Sequence, residues 1–558
     1  MIKKYVNDLK KEFKGYGGKS LAKDAMAGLT VAAVALPLAL AFGVSSGADA
    51  ASGLITAIFA GLITGVLSGA SYQISGPTGA MSAILLTLSA KYGMPGVMTA
   101  GFLSGVVLII ASLLKAGKLV SYIPSSVITG FTSGIAIVIA LGQIDNFFGT
   151  ASQGENAIAK LLSYGQLGFS PNWWAVAFGL AVIIIMVIYP KKWNSVVPSS
   201  LASLIIVLIA NLIINPDGTL VAEVGEIPKK LITDSGLIKS GFDFSQISEL
   251  IVPAFSIAIL GMIESLLCGA SAGKMKNERI DAQRELVAQG IGNMIIPMLG
   301  GVPSTAAIAR TSVAIKSGGQ TRMVSVFHSI TLILSMFLLG GVMSRIPMSA
   351  LAGVLMVTAW RMNEWDSIKQ IFKRKVKSPI SMFIVTMIAT VVFDLTVAIV
   401  AGVVLAILLF IIKSSNLTVT VSDIDDRRLA GEGLTGDHSS IKVAYLSGPL
   451  FFGTQDAITE AISKESGFCE MIFSMRGVPS ADDASIDELL NIYNEYKAKN
   501  IEIIFCGVQP GVKEMMKRVG FIDAVGRDHV LWDVIGALRW IEMRDKQQTE
   551  QALLKDGE

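Results

Sequence analysis

Apolar runs of membrane length, separated by short polar turns, recur along the chain up to about residue 412. They predict fourteen spans, near 24–45, 51–70, 74–90, 95–114, 121–147, 172–189, 197–214, 250–272, 285–299, 303–317, 323–343, 348–361, 379–394 and 396–412. The third, ninth, tenth and twelfth are weak by hydropathy alone. Charge supports the count. With the N-terminus inside, the inner turns carry Lys115 and Lys118, Lys191 and Lys192, Lys274 through Arg284, Lys316 and Arg322, and Arg361 through Lys377. The long outer stretch 215–248 has more acids than bases.

After about Asn416 the period changes. "SIKVAYLSG", "CEMIFSMRG" and "NIEIIFCGV" read as buried strands, and "TQDAITEAISK", "SIDELLNIYNEYKAK" and "GVKEMMKRVG" as amphipathic helices. The expected organisation is a basic segment 1–23, a membrane domain 24–413, a linker 414–437, a small α/β domain 438–545 and a polar, mobile tail 546–558.

Composition agrees: 52% of the 558 residues are hydrophobic and 16% charged, against about 25% charged in soluble domains. Cys268, Cys469 and Cys506 form no CxxC pair, and His328, His438 and His529 are scattered. Metalloprotease, nucleophile-elbow and Walker motifs are absent, so nothing argues for an enzyme, a cofactor, a metal or a nucleic-acid partner. The first 23 residues hold seven lysines, too long a basic region for a signal cleaved near "GADA". Ile2, Val6, Leu9 and Phe13 have helical spacing, so this segment is either an interfacial amphipathic helix or a basic cytoplasmic tail.

An internal repeat is visible. "SYIPSSVITG" (121–130) matches "SRIPMSALAG" (344–353), and "GPTGA" (76–80) pairs with "VPSTA" (302–306). Each half holds an odd number of spans, so the halves are inverted, as in secondary transporters. Thr78 to Ala90 gives only about 20 Å of helix, and Ser304 to Ser317 about 21 Å, against a hydrocarbon core of about 30 Å. Both helices therefore start near the midplane, facing each other. Irregular backbone at that depth is tolerated where it is buried or lines a cavity, and unpaired amides at helix starts attract anions. Thr78, Gly79 and Ala80 form one half of an anion cradle, and Ser304, Thr305 and Ala306 the other. The alternative is a pair of ordinary proline kinks.

Arg310, below the second helix start, costs about 2.5–3.5 kcal/mol to insert. It either draws an anion to the cradle or pairs with Glu264. Glu264 lies mid-span in "AILGMIESLLCG", where a carboxyl can carry a proton through part of a cycle or serve as a structural hydrogen-bonder. Pro37 breaks the first span in "ALPLALAFG", where Phe42 either lines the site or packs. His328 is expected to be a satisfied interhelical hydrogen-bonder, and Asp394 to be solvated at a span end.

The motifs "SGPTGAMSA", "FTSGIAIVIALGQI", "AILGMIESLLC", "ELVAQGIGNMI", "GGVPSTAAIARTSVAIKSGG" and "IPMSALAGVLMVTAWRM" resemble, in order, those of the SulP sulfate permeases, related to the animal solute carrier 26 anion exchangers. "VAYLSGPLFFG" and "RGVPSADDASIDEL" resemble that family's STAS domain. The resemblance implies core and gate domains in a nucleobase-transporter-like fold of two inverted seven-span halves. It further implies an anion site between the third and tenth spans, elevator-like alternating access and a homodimer. The chain departs from the pattern at Leu38, where many sulfate permeases have Gln. That departure is similar to bicarbonate and dicarboxylate carriers. Glu264 stands where the sodium-coupled bicarbonate branch has Asp, which favours protons over sodium. Gly273 replaces an acid, and Ala484 a phosphorylated serine, with Ser485 beside it.

These features make the chain a polytopic α-helical membrane protein of the cell membrane with both termini cytoplasmic. The leading expectation is a proton-coupled symporter of sulfate or a similar small anion. Bicarbonate or C4-dicarboxylate transport, a passive anion channel and a nucleobase permease are the alternatives. Neither Arg310 nor a STAS tail is expected in a nucleobase permease.

Overall fold

The computed structural model describes residues 2–118, 123–153, 157–190, 192–193, 197–242, 246–393, 395–414, 417–424, 434, 436–451 and 454–555. Ser121, Lys191 and Asp394, invoked above, lie outside the described residues. The chain divides into two units, Met1–Ala406 and Ile407–Glu558.

In the first unit every predicted apolar run falls on a helix. Among the described residues, six helices are long and apolar enough to cross a membrane, and four further apolar helices are shorter. The third and fourth runs form one assigned helix, Gly79–Leu113, turned sharply at Gly93 (φ 66°, ψ −177°). That positive φ suits glycine. Pro37, expected to break the first span, instead sits inside a continuous helix, Gly18–Ser45. The second run contains a π-turn, Ala60–Thr64. Its surplus residue leaves the Gly61 carbonyl to accept a hydrogen bond from Ser325 Oγ at 2.8 Å.

The inverted repeat is visible at matching helix starts. Pro124 (φ −61°, ψ 143°) caps Ser125–Gly142, and Pro347 (φ −62°, ψ 136°) caps Met348–Met362. Packing sorts the helices into two groups. A core group comprises Gly18–Ser45, Ala50–Phe59, Gly79–Leu113, Ile247–Lys276, Ala282–Leu299, Ile308–Lys316 and Met323–Met343. A gate group comprises Ser125–Gly142, Trp173–Ile188, Ser199–Ile214, Met348–Met362 and Lys377–Val392.

Tight crossings in the core group depend on glycine. A Cβ on Gly273 would meet the Glu278 carbonyl and, at 2.8 Å, the Tyr72 hydroxyl. The acid missing from this position has no room.

The second unit is a five-stranded sheet: Thr418–Asp423, Ile441–Ser447, Glu470–Gly477, Glu502–Cys506 and Val530–Leu531, in that order. Only the first pairing is antiparallel. The first strand lies within the stretch expected to be linker. Alternation splits the strands between two cores. Met471, Phe473, Ile503 and Phe505 face the helices Gln455–Ser463, Asp483–Ala498 and Pro510–Arg518, while Ile441, Val443, Ile472 and Ile504 face Ala537, Leu538 and Ile541. Those last residues belong to the helix Val534–Lys555, so the tail expected to be mobile is helical as far as Lys555. Ser485 is buried, and its hydroxyl donates to the Asp482 carbonyl at 2.9 Å. It is thereby enclosed, and offers no exposed substitute for the missing phosphorylation site.

Candidate functional site

Ser75 and Gly76 run antiparallel to Thr305 and Ala306, Ser75 opposite Ala306 and Gly76 opposite Thr305. The chain leaves this short pair at opposite ends, each time into a helix. On one side Thr78 (φ −128°, ψ 159°) caps Gly79–Leu113, its Oγ1 accepting from the Met81 amide at 3.4 Å. On the other side the helix expected from Ser304 starts at Ile308, after Ala307 (φ −112°, ψ 116°). The reason is strand pairing: Ala307 N donates to the Ile74 carbonyl at 2.9 Å, which holds 305–307 extended.

The correction moves half of the expected cradle. Ser304 and Thr305 are fully buried and their polar atoms are committed. The Ser304 amide and hydroxyl donate to Asn293 Oδ1 at 2.7 and 3.2 Å, and Asn293 Nδ2 donates to the Ser304 carbonyl at 3.0 Å. Thr305 Oγ1 meets Ser265 Oγ at 2.8 Å, and the Ala306 amide donates to the same Ser265 oxygen at 3.2 Å. Gln289 Nε2 donates to Ser75 Oγ at 2.8 Å, and Gln73 Nε2 to the Ser265 carbonyl at 2.7 Å. The first intrahelical bonds are Ser82 N to the Thr78 carbonyl and Thr311 N to the Ala307 carbonyl. The amides of Gly79 and Ala80, and those of Ile308, Ala309 and Arg310, precede them and have no helical acceptor.

Two charged side chains grip adjacent residues of one turn. Thr78 Oγ1 donates to Glu264 Oε2 at 2.9 Å, and Arg310 Nη2 donates to the Pro77 carbonyl. Arg310 is only 1% exposed, and its Nη1, against Gly76, has no partner among the described residues. The alternative of an Arg310–Glu264 ion pair is not realised among the described residues. Glu264 itself is half-buried. His328, expected to be a satisfied hydrogen-bonder, is fully buried with neither ring nitrogen partnered among the described residues.

Leu38 and Phe42 are buried one helical turn apart on Gly18–Ser45. A Cβ at Gly79 would meet the Phe42 ring at 3.1 Å and run into Ile139 of the gate group. Phe42 and Ile139 thus wall the helix start from two sides. Ile139 escaped the sequence reading, as did Ser265, Gln289 and Asn293. The signal for the last two was present: amides in "ELVAQGIGNMI", within a span of weak hydropathy.

Comparison with known proteins is consistent with this geometry. The profile described as "Sulfate permease family" matches residues 21–389, and that of the STAS domain residues 435–532. The chain is similar to the Putative sulfate transporter YvdB of Bacillus subtilis, 32% identical over 93% of this chain and 97% of that protein. It is also similar to the Bicarbonate transporter BicA of Picosynechococcus sp., 29% identical over 93% of this chain and 94% of that one. Its fold matches murine Slc26a9, with a TM-score of 0.82 at 18% identity over 94% of this chain and 92% of that one. The transmembrane domain of a cyanobacterial BicA matches with a TM-score of 0.63 at 27% identity, over 69% of this chain and 98% of that one. These proteins are permeases rather than enzymes, and the chain belongs to the sulfate permease family and carries a C-terminal STAS domain.

Proposed function

We propose that this chain is a secondary active transporter of a small inorganic anion, sulfate being the leading substrate. The observation that carries the reading is the pair of helix starts at Gly79 and Ile308, on either side of one strand pair, with Arg310 enclosed beside them. Partial positive charge at two helix N-termini and a full charge on Arg310 make a field suited to an anion. Arg310 acts through that field, since its guanidinium is enclosed behind the Pro77 turn. Gly79, Ala80, Ile308 and Ala309 supply amides, Thr78 orients the first helix start, and Leu38 and Phe42 bound the space. Ser304, Thr305 and Ala306 act as the frame.

In this reading Glu264 exchanges the coupling proton. Its one hydrogen bond among the described residues comes from the residue that caps the site, so a change in its charge is felt at the anion-binding helix start. The core group moves against the gate group in an elevator-like cycle, as a homodimer in the cell membrane with both termini cytoplasmic. The basic turns at one end of the helices support that orientation. Bicarbonate is the second reading. It is favoured by Leu38 and by the likeness to BicA across nearly the whole chain.

The test is uptake of labelled sulfate into proteoliposomes with acid outside, using unlabelled bicarbonate or fumarate as competitor. Accumulation driven by the proton gradient supports symport. Downhill flux without accumulation would establish a channel, and no sulfate flux in folded protein would remove sulfate as the substrate.

A further inference from the structure

The N-terminal helix Ile2–Glu12 meets the core group through Lys4, Tyr5, Asp8 and Glu12. Lys4 Nζ lies 2.6 Å from Asp281, Arg284 Nη1 2.7 Å from Asp8, and Arg322 Nη2 2.8 Å from Glu12. The Arg322 amide adds a bond to Glu12 at 2.7 Å. Between these pairs, Tyr5 donates to the Val66 carbonyl at 2.9 Å, with the Arg284 and Arg322 guanidinium groups 5.3 and 5.4 Å from its ring. Arg322 and Glu12 are both nearly enclosed, with side chains 4% and 9% exposed. Desolvated, multiply bonded pairs of this kind are costly to break by removing one partner. The helix is therefore fixed to the core group, not merely tethered beside it.

The clamp uses both acids of the helix. At about 100° per residue, Lys4, Tyr5, Asp8 and Glu12 share the inward side. Val6 and Leu9, continued by Phe13, form an apolar stripe beside it, on which Val6 remains 42% exposed. The third side carries Lys3 and Lys10, both exposed, with Lys14 exposed just beyond the helix and the exposed Lys11 at the border with the inward side. A helix with an apolar stripe bordered by lysines suits the boundary between acyl chains and negatively charged headgroups.

We propose that the outer side of Ile2–Glu12 binds anionic lipid headgroups, while its inner side holds the core group, so that the bilayer surface acts directly on the unit that carries the anion site. This rests on the functional reading above for which unit moves and which end faces the cytoplasm. The partner is chosen by charge: with Asp8 and Glu12 turned inward, the outer side offers positive charge, apolar surface and the neutral Asn7, and no acid. The surface also lies beside Val66, Asp281 and Arg322, at the ends of helices expected to reach the inner membrane face.

The test places a nitroxide at Val6 (Val6→Cys, with the exposed Cys469 changed to Ser) in the full-length chain. Vesicles are made of phosphatidylcholine alone or with added phosphatidylglycerol. The ratio of collisions with lipid-soluble oxygen to those with a water-soluble nickel complex reports depth. Anionic lipid is expected to raise this ratio clearly above its value in phosphatidylcholine alone. Lys3, Lys10, Lys11 and Lys14→Gln together should abolish the response. An equal ratio in both vesicles, or an undiminished response in the lysine variant, overturns the proposal. The nitroxide signal needs no substrate. Inert transport with an intact lipid response would therefore count against the functional reading alone.

Discussion

Glu264→Gln separates the proton from the architecture. The carboxylate accepts a hydrogen bond from Thr78 Oγ1 at 2.9 Å, and a glutamine carbonyl can accept the same bond. A hydrogen bond to a charged group is worth about 1.5–3 kcal/mol and a neutral one about 0.5–1.5. The expected loss of stability is thus about 1 kcal/mol, and the cap on Gly79–Leu113 survives. What disappears is the ability to bind and release a proton. One unit of pH gradient is worth about 1.4 kcal/mol per proton, or about tenfold accumulation of substrate for one coupled proton. In proteoliposomes with a one-unit gradient and the membrane potential clamped, the unaltered protein should approach that ratio. Glu264→Gln should equilibrate near unity while still exchanging labelled for unlabelled anion. Undiminished accumulation by the variant would remove Glu264 from coupling. Loss of exchange as well, in a protein that still melts cooperatively, would make it part of the anion site. Thr78→Val is the companion: it keeps the titratable carboxyl but removes the bond that carries its charge to the helix start, so accumulation should fall while exchange persists with weaker anion binding.

Arg310→Met deletes the enclosed charge but keeps much of its bulk. Loss of its long-range attraction should weaken anion binding by roughly tenfold or more in calorimetric titration, and unchanged affinity would refute its role in the field. Asn293→Leu strands the Ser304 amide and carbonyl, at about 1–3 kcal/mol for each unsatisfied group. The melting temperature in detergent should therefore fall clearly, whereas a neutral outcome would show that the strand pair is held by other means. In the STAS domain the hydrogen bond from His529, 2.7 Å away, and the Arg544 charge hold the Glu502 carboxyl below the usual glutamate range despite partial burial. Its contribution is complete above the unfolded value of about 4.3 and is lost as pH falls through the lower folded value. Exchange of the Glu502–Cys506 amides in the intact chain should rise over that acid interval. Because burial shifts Glu470 on the neighbouring strand upward, in the opposite sense, Glu502→Gln is the comparison that isolates this effect.

What was legible in the sequence follows from the length of the signal. Runs of apolar residues many turns long located the helices. The matching Pro124 and Pro347 mark the repeat, and Thr78 shows itself as a cap by residue type. The error at Ser304 has the same origin. A two-residue strand has no period to detect, and Ala307 caps its helix with no side-chain hydrogen bond. Ser304, the residue that looks like a cap, is instead occupied by Asn293 from a helix already read as a span. Local chemistry proposed one helix start and a tertiary contact imposed another.

On the proposed reading, that displacement also changes how the site works. Had the second helix begun at Ser304, two hydroxyl-bearing caps would have faced the anion symmetrically. As it stands, one side presents Thr78, whose hydroxyl is shared between the Met81 amide and Glu264. The other side presents backbone alone, stiffened by Asn293, Ser265 and Gln289 from behind. The inverted repeat thus supplies two similar positive poles, and the side chains make only one of them responsive to a carboxyl. In the proposed cycle one pole that answers to Glu264 is enough to make anion binding depend on that proton, whereas a site in which neither answered would have no such dependence. The fixed pole and the tunable pole together account for an acid on one helix and a framework of amides on the other.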